Sequence, residues 1–359
     1  MHVVFTIVSR NYASQAITLM QSLLAADPEV QRIVVAADGP LPELEPWTEV
    51  ISAEDVLPGL AAMSVYYEAL ELNTAIKPHV FRHLLRREDV ASVTYLDPDI
   101  QVFRSLEHVR ASLRETALCL IPHLTRPLVG PTEPNNITIL RSGAYNLGFL
   151  AARRTPNVMD LMDWWGEACR FDCRVDMANG LFTDQKWMDL APGFVDSVTL
   201  LRDPSLNLAY WNLDGRRLEK KEGVWHVDGE PLVFFHFSGF DPLRPNVLSK
   251  HQNRLTVEPG SNLAQLLEEY ARQLLRNGYV DHQQRGYAFD RFPSGRRLTH
   301  LMRQTALRAA RNGEDLSAGL CRDTDNWMDQ LDPGFHSTRL PEVSRLMVKA
   351  WLSSRAADW

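Results

Sequence analysis

The sequence contains no apolar run that approaches the length of a membrane span, and it has no basic leader at its start. Its first residues, MHVVFTIVSRNY, include a short apolar run that Ser9 and Arg10 interrupt. Neither a membrane-spanning protein nor an exported protein with a signal peptide is therefore expected. These absences predict a cytoplasmic protein.

Basic residues are outnumbered by acidic ones, and cysteine is rare. The 359 residues carry 38 Lys and Arg against 45 Asp and Glu, which gives a formal net charge of -7. Proteins that bind nucleic acid normally present a net basic face, so no nucleic-acid partner is expected. The four cysteines, Cys119, Cys169, Cys173 and Cys321, lack the paired spacing of a zinc site, and they are expected to stay reduced.

What the sequence does contain near its start is the pattern of an α/β fold. HVVFTIVS is a β-branched and aromatic run of strand length, and YASQAITLMQSLLAAD repeats apolar residues at helical spacing. RIVVAADG follows as a second strand that ends in a turn. Strand, helix and strand in this order predict a mostly parallel sheet flanked by helices. Ligands of such sheets bind outside the carboxyl ends of the strands.

The next segments predict helices that lead to a strand ending in two aspartates. VYYEALELNTAIKPHVFRHLLRRED predicts two helices interrupted at Lys77 and Pro78, because proline disfavours helical geometry in the residue before it. In VASVTYLDPDIQVF a buried strand runs directly into Asp97 and Asp99, with Pro98 stiffening the turn. Two carboxylates suit Mg²⁺ or Mn²⁺, which commonly complete their ligand shells with phosphates. The alternative is a solvated turn, where Asp and Pro are common.

Four segments then occur in a characteristic order. They are the Asp-x-Asp of YLDPDI, the Asn-x-Gly of AYNLGFLAAR before an apolar strand, the Asp-Gln of FTDQKWMDL, and the His-Phe-x-Gly of FFHFSGFDP. The ordered set resembles the GT-A-fold glycosyltransferases, in particular the glycogenin and lipopolysaccharide galactosyltransferase group, over roughly the first two-thirds of the chain. The resemblance implies a catalytic domain over residues 1–245 that uses a nucleotide-sugar donor and retains the anomeric configuration of the sugar.

The resemblance also implies a third ligand for the cation. It adds His236 to Asp97 and Asp99, and a mixed shell of oxygen and nitrogen favours Mn²⁺ somewhat over Mg²⁺. Such a cation would neutralise the charge that develops on the leaving diphosphate. The alternative for His236 is a core histidine that ends the strand PLVFFHF.

Further roles are implied for the sugar side of the site. Asp184 and Gln185 would lie on the reactive face of the sugar, where they stabilise an oxocarbenium-like state or supply a covalent nucleophile. The alternative for Asp184 is a helix cap before QKWMDL. Asn146 would orient sugar hydroxyls through its amide, and the alternative is a turn asparagine before a strand.

The nucleotide side is predicted at the ends of the first two strands. Ser9 and Asn11 follow the first strand, where the base and ribose dock in the resembling family, and Asp38 follows the second. Lys77 is expected to reach the phosphates or the donor-side carboxylates, with a solvated lysine as the alternative.

The segment after the histidine motif would hold the phosphates. Gly239 allows the backbone to approach a phosphate closely. The resembling family carries a lysine shortly after this motif, but the corresponding stretch here is FDPLRP. Arg244 or Lys250 would take its place.

A helical region is predicted over residues 246–359. SNLAQLLEEYARQLLRNG is an amphipathic helix with Ser261 or Asn262 as its cap, and RRLTHLMRQTALRAARNG is a second, basic helix. This region would cover the acceptor side, pack on the catalytic part, or contact an anionic membrane surface.

Three hypotheses for function follow. A metal-dependent glycosyltransferase is the leading one, with a glycan, a lipid-linked sugar, a small molecule or a protein as acceptor. A nucleotidyltransferase would be expected to carry a glycine-rich loop after its first strand, and VSRNYASQ contains no glycine. The third hypothesis is a nucleotide-sugar-binding module without turnover.

Overall fold

A computed structural model of the chain describes residues 1–331. The strands are β1 His2–Val8, β2 Gln31–Ala36, β3 Glu49–Ser52, β4 Ser92–Leu96, β5 Ile100–Val102, β6 Leu118–Leu120, β7 Phe149–Arg153, β8 Val175–Asp176, β9 Leu181–Phe182, β10 Val198–Leu200, β11 Leu218–Lys221, β12 Val224–Val227, β13 Glu230–Pro231 and β14 Phe234–His236. The α-helices are α1 Ala13–Ala26, α2 Ala53–Val56, α3 Leu60–Tyr66, α4 Ala69–Arg86, α5 Glu107–Glu115, α6 Asn136–Ser142, α7 Pro156–Asp172, α8 Asn262–Arg276, α9 Tyr279–Gln284, α10 His300–Arg311 and α11 Arg322–Leu331.

A seven-stranded sheet organises the fold, in the order β10-β6-β7-β4-β1-β2-β3. β1 pairs in parallel with β2 and β4, β2 pairs in parallel with β3, and β6 with β10. Within this sheet β7 runs antiparallel to both of its neighbours, β4 and β6. The predicted α/β class, with a mostly parallel sheet flanked by helices, is confirmed.

Helices cover both faces of the sheet. In β1, Val3, Phe5 and Ile7 pack with α3, α4 and α7, whereas Val4 and Val8 pack with α1 and α5 on the other face. This period of two is what a strand buried on both faces produces. Full burial of one such side chain contributes about 2 kcal/mol to the stability of the fold. Because many side chains of the sheet are buried in this way, the strand ends that carry the site are held firmly in place.

Helix α4 differs from its prediction. It runs without a break from Ala69 to Arg86, with Pro78 inside it, so the predicted interruption at Lys77 and Pro78 is wrong. Lys77, Pro78 and Phe81 are buried, and α4 packs along α7. This burial offsets the cost of an interior proline, about 3 kcal/mol, which local propensity alone would not overcome.

The C-terminal helices pack on the same body. Of the two predicted caps of α8, Ser261 is the one observed, because its hydroxyl accepts the amide hydrogen of Ala264 at 3.1 Å. Leu267 and Tyr270 of α8 belong to a cluster with β12 and β14, and Met302 of α10 joins the core on one face of the central sheet.

A domain boundary at residue 245 stays a prediction, and the part of the predicted helical region at residues 332–359 lies outside the described residues. In the described part of the chain, no helix combines the length and apolar character that crossing a membrane requires. All four cysteines are free thiols.

Candidate metal and donor site

Two short strands bring a histidine beside the aspartates. β4 ends at Leu96, and Asp97 to Asp99 connect it to β5. β14 pairs antiparallel with β5 in a register that sets His236 opposite Ile100. The amide of Phe237 donates to the carbonyl of Asp99 at 2.9 Å. The three predicted metal ligands therefore meet at the carboxyl end of β4, although a long stretch of chain separates them.

The geometry of this group suits a small cation. Nε2 of His236 lies 3.0 Å from Oδ1 of Asp99 and 3.5 Å from Oδ2 of Asp97. One ligand atom from each residue lies within 4.8 Å of the others. His236 is buried, whereas the side chains of Asp97 and Asp99 remain 28% and 22% exposed. Two carboxylates and one imidazole fit Mn²⁺ or Mg²⁺, with the exposed side left for further ligands.

The charges of the group are poorly balanced by the protein alone. Burial lowers the pKa of His236, but Asp99 and Asp97 raise it more, so that its pKa stands above the usual 6.5. Burial raises the pKa of Asp97, and Lys77 and His236 offset this only in part. A positive charge between the aspartates is therefore favourable, and a divalent cation supplies it more fully than a proton does.

Asn146 and Gly148 lie beside the metal group, at the start of β7. The amide of Asp97 donates to the carbonyl of Gly148 at 2.8 Å. A Cβ atom on Gly148 would lie 2.3 Å from Cε1 of His236 and 2.8 Å from Oδ1 of Asn146. The glycine of the Asn-x-Gly segment is thus required because the histidine ring packs directly on the backbone.

Two polar residues that the sequence did not single out complete this neighbourhood. Asn207 is fully buried with a φ of 55°, and its amide lies between His236 and Asn146. His123 lies on the far side of Asn146, where burial lowers its pKa to about 4. Neither stands in a motif, and no spacing in the sequence connects them with the aspartates.

Lys77 binds Asp184 inside the protein. Its Nζ lies 2.8 Å from Oδ2 of Asp184, donates to the carbonyl of Leu147 at 2.8 Å, and lies 4.2 Å from the ring centre of Tyr95. The side chains of Lys77 and Asp184 are 1% and 2% exposed. The alternative of a solvated lysine is therefore wrong, and the ammonium is already engaged by the carboxylate predicted to face the sugar.

The backbone before Asp184 is strained. Thr183 is β-branched and has a φ of 47°, a conformation that costs such a residue about 1–2 kcal/mol. Asp184 does not cap the short 3₁₀ helix Lys186–Gly193, because the cap position is Gln185 and no side chain bonds there. The helix-cap alternative for Asp184 is therefore wrong. Strain of this kind is typical of functional segments that the surrounding fold holds in place.

The side chain of Gln185 is held at both ends. Its Oε1 accepts the amide hydrogen of Leu147 at 2.9 Å, and its Nε2 donates to the carbonyl of Ser142 at 2.9 Å. Gln185 is thus fixed beside Asn146, with Asn146 Nδ2 3.4 Å from its Oε1. Its catalytic role stays a prediction.

The residues predicted for the nucleotide lie at the ends of β1 and β2. The hydroxyl of Ser9 pairs with the amide of Asn73. Asp38 accepts the amide hydrogens of Arg10 at 2.7 Å and Ala288 at 2.9 Å, while burial raises its pKa.

Asn11 lies on the same side, and its Oδ1 is buried without a hydrogen-bond partner among residues 1–331. That oxygen is an acceptor that the described residues leave unsatisfied. The carboxylate oxygens of Asp38, in contrast, already accept hydrogen bonds from two backbone amides.

The segment after His236 folds back on itself at Gly239. Gly239 has a φ of 71°, and a Cβ there would lie 2.6 Å from Oγ of Ser249. Its carbonyl accepts the amide hydrogen of Lys250 at 3.1 Å. Arg244 is 68% exposed and pairs with Asp241 at 3.0 Å, whereas Lys250 has no ion pair with any residue in 1–331. The ammonium group of Lys250 therefore lies close to the histidine motif without an ion-pair partner among the described side chains.

Comparisons with known proteins reveal distant relatives. No protein-family model matches the chain. It is 27% identical to YfnF of Bacillus subtilis over 176 residues, which are 48% of this chain and 57% of YfnF, so it spans less than two thirds of that relative. It is 25% identical to YfnD of Bacillus subtilis over 246 residues, which are 66% of this chain and 76% of YfnD. Both relatives are described as uncharacterized proteins.

Solved structures that are similar to the chain include several glycosyltransferases. An active-site mutant of LgtC shares 15% identity at a TM-score of 0.46, covering 76% of this chain and 95% of that one. LgtC is named a galactosyltransferase in its complex with donor and acceptor sugar analogs. GlyE of Streptococcus pneumoniae shares 15% identity at a TM-score of 0.45, covering 78% of this chain and 64% of GlyE. At these identities and TM-scores the likeness assigns no activity, so function is argued from the side chains of the site.

Proposed function

We propose that this protein is a metal-dependent glycosyltransferase that moves a sugar from a nucleotide-sugar donor to an acceptor. The observation that supports this most strongly is the meeting of Asp97, Asp99 and His236 at the carboxyl end of β4. Ligands of open parallel sheets bind at that edge. The predicted nucleotide residues at the ends of β1 and β2 lie along the same edge.

Asp97, Asp99 and His236 would hold Mn²⁺ or Mg²⁺. When bound, the cation would stabilise the charge of the leaving nucleoside diphosphate as Lewis acid. Lys250 is the better phosphate ligand of the two candidates, because Arg244 is already paired with Asp241. Asn11 would bind the nucleotide through its free Oδ1.

The sugar would lie against Asn146, Asp184 and Gln185. These side chains are buried and fixed by hydrogen bonds or an ion pair, so they present a rigid wall to the sugar. Retention of the anomeric configuration is proposed from the resemblance of the Asp-Gln segment. Because Lys77 neutralises Asp184, a stabilising role for Asp184 fits the contacts better than a role as covalent nucleophile.

The experiment is a screen of nucleotide sugars for thermal stabilisation with and without Mn²⁺. A ligand that binds only the folded protein raises its melting temperature, so the correct donor should stabilise the protein strongly only when Mn²⁺ is present. Release of sugar from that donor, followed in the same samples, separates a transferase from a binding module. Proton NMR of the early product gives the anomeric configuration.

Matched variants locate the phosphate ligand. Lys250→Gln should weaken binding of the nucleoside diphosphate at least about tenfold, because a charge-assisted contact is lost. Arg244→Gln is the control and should change it less than about twofold. If no nucleotide stabilises the protein in the presence of Mn²⁺, the proposed function is wrong.

A further inference from the structure

We propose that Asn207 and Asn146 fix the tautomer of His236, so that its Nε2 presents a lone pair between the two aspartates. This inference rests on the metal site of the proposed function but concerns residues outside the ligand set. It follows from a continuous series of hydrogen bonds whose direction is set by backbone groups.

The direction is first set at Asn146. The amide of Gly148 lies 3.2 Å from Oδ1 of Asn146, and a backbone N–H can only donate. The atom at this position must therefore be the oxygen. Asn207 approaches the same oxygen at 2.9 Å, so the atom it presents must be its own Nδ2.

The orientation of Asn207 then decides the state of His236. With Nδ2 turned toward Asn146, the Oδ1 of Asn207 faces Nδ1 of His236 at 3.3 Å. An amide oxygen only accepts, so Nδ1 must carry the hydrogen. The lone pair of the neutral ring is then left on Nε2. This nitrogen lies 3.0 Å from Oδ1 of Asp99, itself an acceptor, so the arrangement suits a cation held between the two atoms.

The other end of the series gives the same direction independently. Nδ1 of His123 lies 2.8 Å from the carbonyl of Gly143, which can only accept, so this nitrogen carries the hydrogen. Nε2 of His123 is then an acceptor, and Nδ2 of Asn146 donates to it at 3.2 Å. Reversing any amide would therefore place two donors or two acceptors face to face in a buried site, at a cost of about 1–3 kcal/mol for each group.

The test compares Asn207→Gly with Asn207→Asp. Glycine suits the positive φ and removes the amide without backbone strain, whereas aspartate keeps an acceptor opposite Nδ1. Asn207→Gly should lower the affinity for Mn²⁺ about 10–100-fold, as loss of such an orienting partner typically does. Asn207→Asp should restore only part of it, because its second oxygen faces Oδ1 of Asn146, acceptor against acceptor.

A second measurement does not depend on the metal. Nitrogen-15 NMR of the metal-free Asp97→Ala with Asp99→Ala protein at alkaline pH, in which no carboxylate faces Nε2, should show His236 with the hydrogen on Nδ1. Adding Asn207→Gly to this protein should give a mixture of tautomers. A hydrogen on Nε2 in the double aspartate variant would overturn the inference, and so would unchanged Mn²⁺ affinity in Asn207→Gly. If the wild-type protein binds no Mn²⁺, the proposed function fails while the NMR result still decides the tautomer.

A different observation supports a second inference, which concerns residues 124–142, here called the apolar segment. We infer that this segment docks on the surface of an anionic membrane. Val129 and Leu140 are the two most exposed large apolar side chains among residues 1–329, at 83% and 72%, and Ile137 is 61% exposed. Exposed aliphatic side chains gathered in one place mark an interaction surface.

The three side chains belong to one platform. Ile137 and Leu140 lie one turn apart on α6, so they share a face of the helix. The side-chain amide of Asn136 binds both the amide and the carbonyl of Leu128, at 2.9 and 2.8 Å. Val129 is thereby held beside the first turn of α6.

The platform is held in place by a buried arginine. The side chain of Arg254 is 5% exposed, and it donates to the carbonyls of Val129, Thr132 and Pro134 at 2.7–3.2 Å. Asn253 adds two hydrogen bonds to the backbone of Glu133. Burying a guanidinium without partners is costly, and these hydrogen bonds offset that cost. They also fix the backbone of the segment, while its aliphatic side chains remain exposed.

Local charge selects the partner. Arg126 and Arg141 flank the platform and are exposed, and neither forms an ion pair with any residue in 1–329, although Arg126 donates to the carbonyl of Asp214. Glu133 is the one acidic residue of the apolar segment, so its net charge is positive. On a chain with a net charge of -7, two such arginines beside aliphatic side chains match an anionic lipid surface better than a neutral one.

The apolar segment also borders the site. His123, just before it, contacts Asn146, and Ser142, at its end, accepts a hydrogen bond from Gln185. Membrane docking itself does not depend on sugar transfer. If the proposed function holds, membrane docking implies that the sugar acceptor is carried by the membrane.

The test is flotation with vesicles in the absence of donor and metal, so that it is independent of the proposed activity. The wild-type protein should bind vesicles that contain phosphatidylglycerol and not vesicles of phosphatidylcholine alone. Ile137→Glu with Leu140→Glu should lower the bound fraction at least about tenfold, and Arg126→Gln with Arg141→Gln about fivefold per arginine.

The control is Leu275→Glu with Leu301→Glu, which changes exposed aliphatic residues of the C-terminal helices and should leave binding unchanged. Loss of binding in this control alone would assign the membrane contact to the C-terminal region and overturn the inference. A wild-type dimer that dissociates in Ile137→Glu with Leu140→Glu would identify a second copy as the partner, and this too would overturn it.

Discussion

The carboxylates of the site form two groups that differ in exposure and in pairing: Asp97 with Asp99, and Asp184. Asp97 and Asp99 remain partly exposed, and the single histidine beside them leaves their charge largely unbalanced. Asp184 is buried and paired with Lys77 at 2.8 Å. The first group has ligating atoms to spare, whereas the second is completed by the protein itself. The difference fits the proposed function, in which the first group would bind the cation and the second would hold the shape of the wall beside it.

Lys77→Met should produce the largest loss of stability. Breaking a buried ion pair leaves an uncompensated charge, so the free energy of unfolding should fall by about 3–5 kcal/mol. Burial already raises the pKa of Asp184, and Lys77 lowers it. Without Lys77 the carboxyl favours its neutral form more strongly, and the loss should therefore grow as the pH rises above the unfolded value near 3.8.

Urea denaturation at several pH values measures this effect. Arg272→Met, which breaks the exposed Arg272–Glu268 pair, is the control and should change stability by less than about 0.5 kcal/mol. Asp184→Asn combined with Lys77→Met should recover part of the loss. Equal effects of Lys77→Met and Arg272→Met would contradict the distinction between a completed and an open group.

Acidification should destabilise the folded protein in part through His123, which is buried beside the site. Its folded pKa of about 4 lies below the usual 6.5, so only the unfolded chain binds a proton between these values. The free energy of unfolding should therefore fall as the pH decreases from about 6.5 to about 4, by at most about 3 kcal/mol from this residue.

The check is the slope of stability against pH in His123→Gln, which should be shallower than in the wild-type protein. Burial also lowers the pKa of His2 to about 4. His2→Gln should therefore flatten the slope to a similar extent, and it shows what a buried neutral histidine far from the site contributes. An unchanged slope in His123→Gln would show that His123 is not held neutral by its surroundings.

Asp99→Asn should change stability least, by less than about 1 kcal/mol, because loss of the contact with His236 is offset by relief of repulsion from Asp97. It should nevertheless abolish the stabilisation that Mn²⁺ and a nucleoside diphosphate give the wild-type protein. Asp241→Asn, in a nearby exposed carboxylate, should keep that stabilisation. A destabilisation of Asp99→Asn as large as that of Lys77→Met would remove the contrast between the two groups.

Local patterns were sufficient for the elements that hold the site. The strand before Asp97 and the helix capped by Ser261 were predicted because their side-chain periods match the geometry of a strand and a helix. Pro78 was not predicted correctly, since proline propensity is a local term and the packing of α4 on α7 is not.

The sequence by itself determined the α/β class and the residues at the strand ends, because periodicity and turn chemistry are carried by neighbouring residues. Tertiary structure alone decided that Lys77 binds Asp184 and that Asn207 lies between His236 and Asn146. These contacts join residues far apart in the chain, and nothing in a local pattern specifies which buried polar groups will meet. Only the packed fold decides this, because most polar atoms that it buries need a partner.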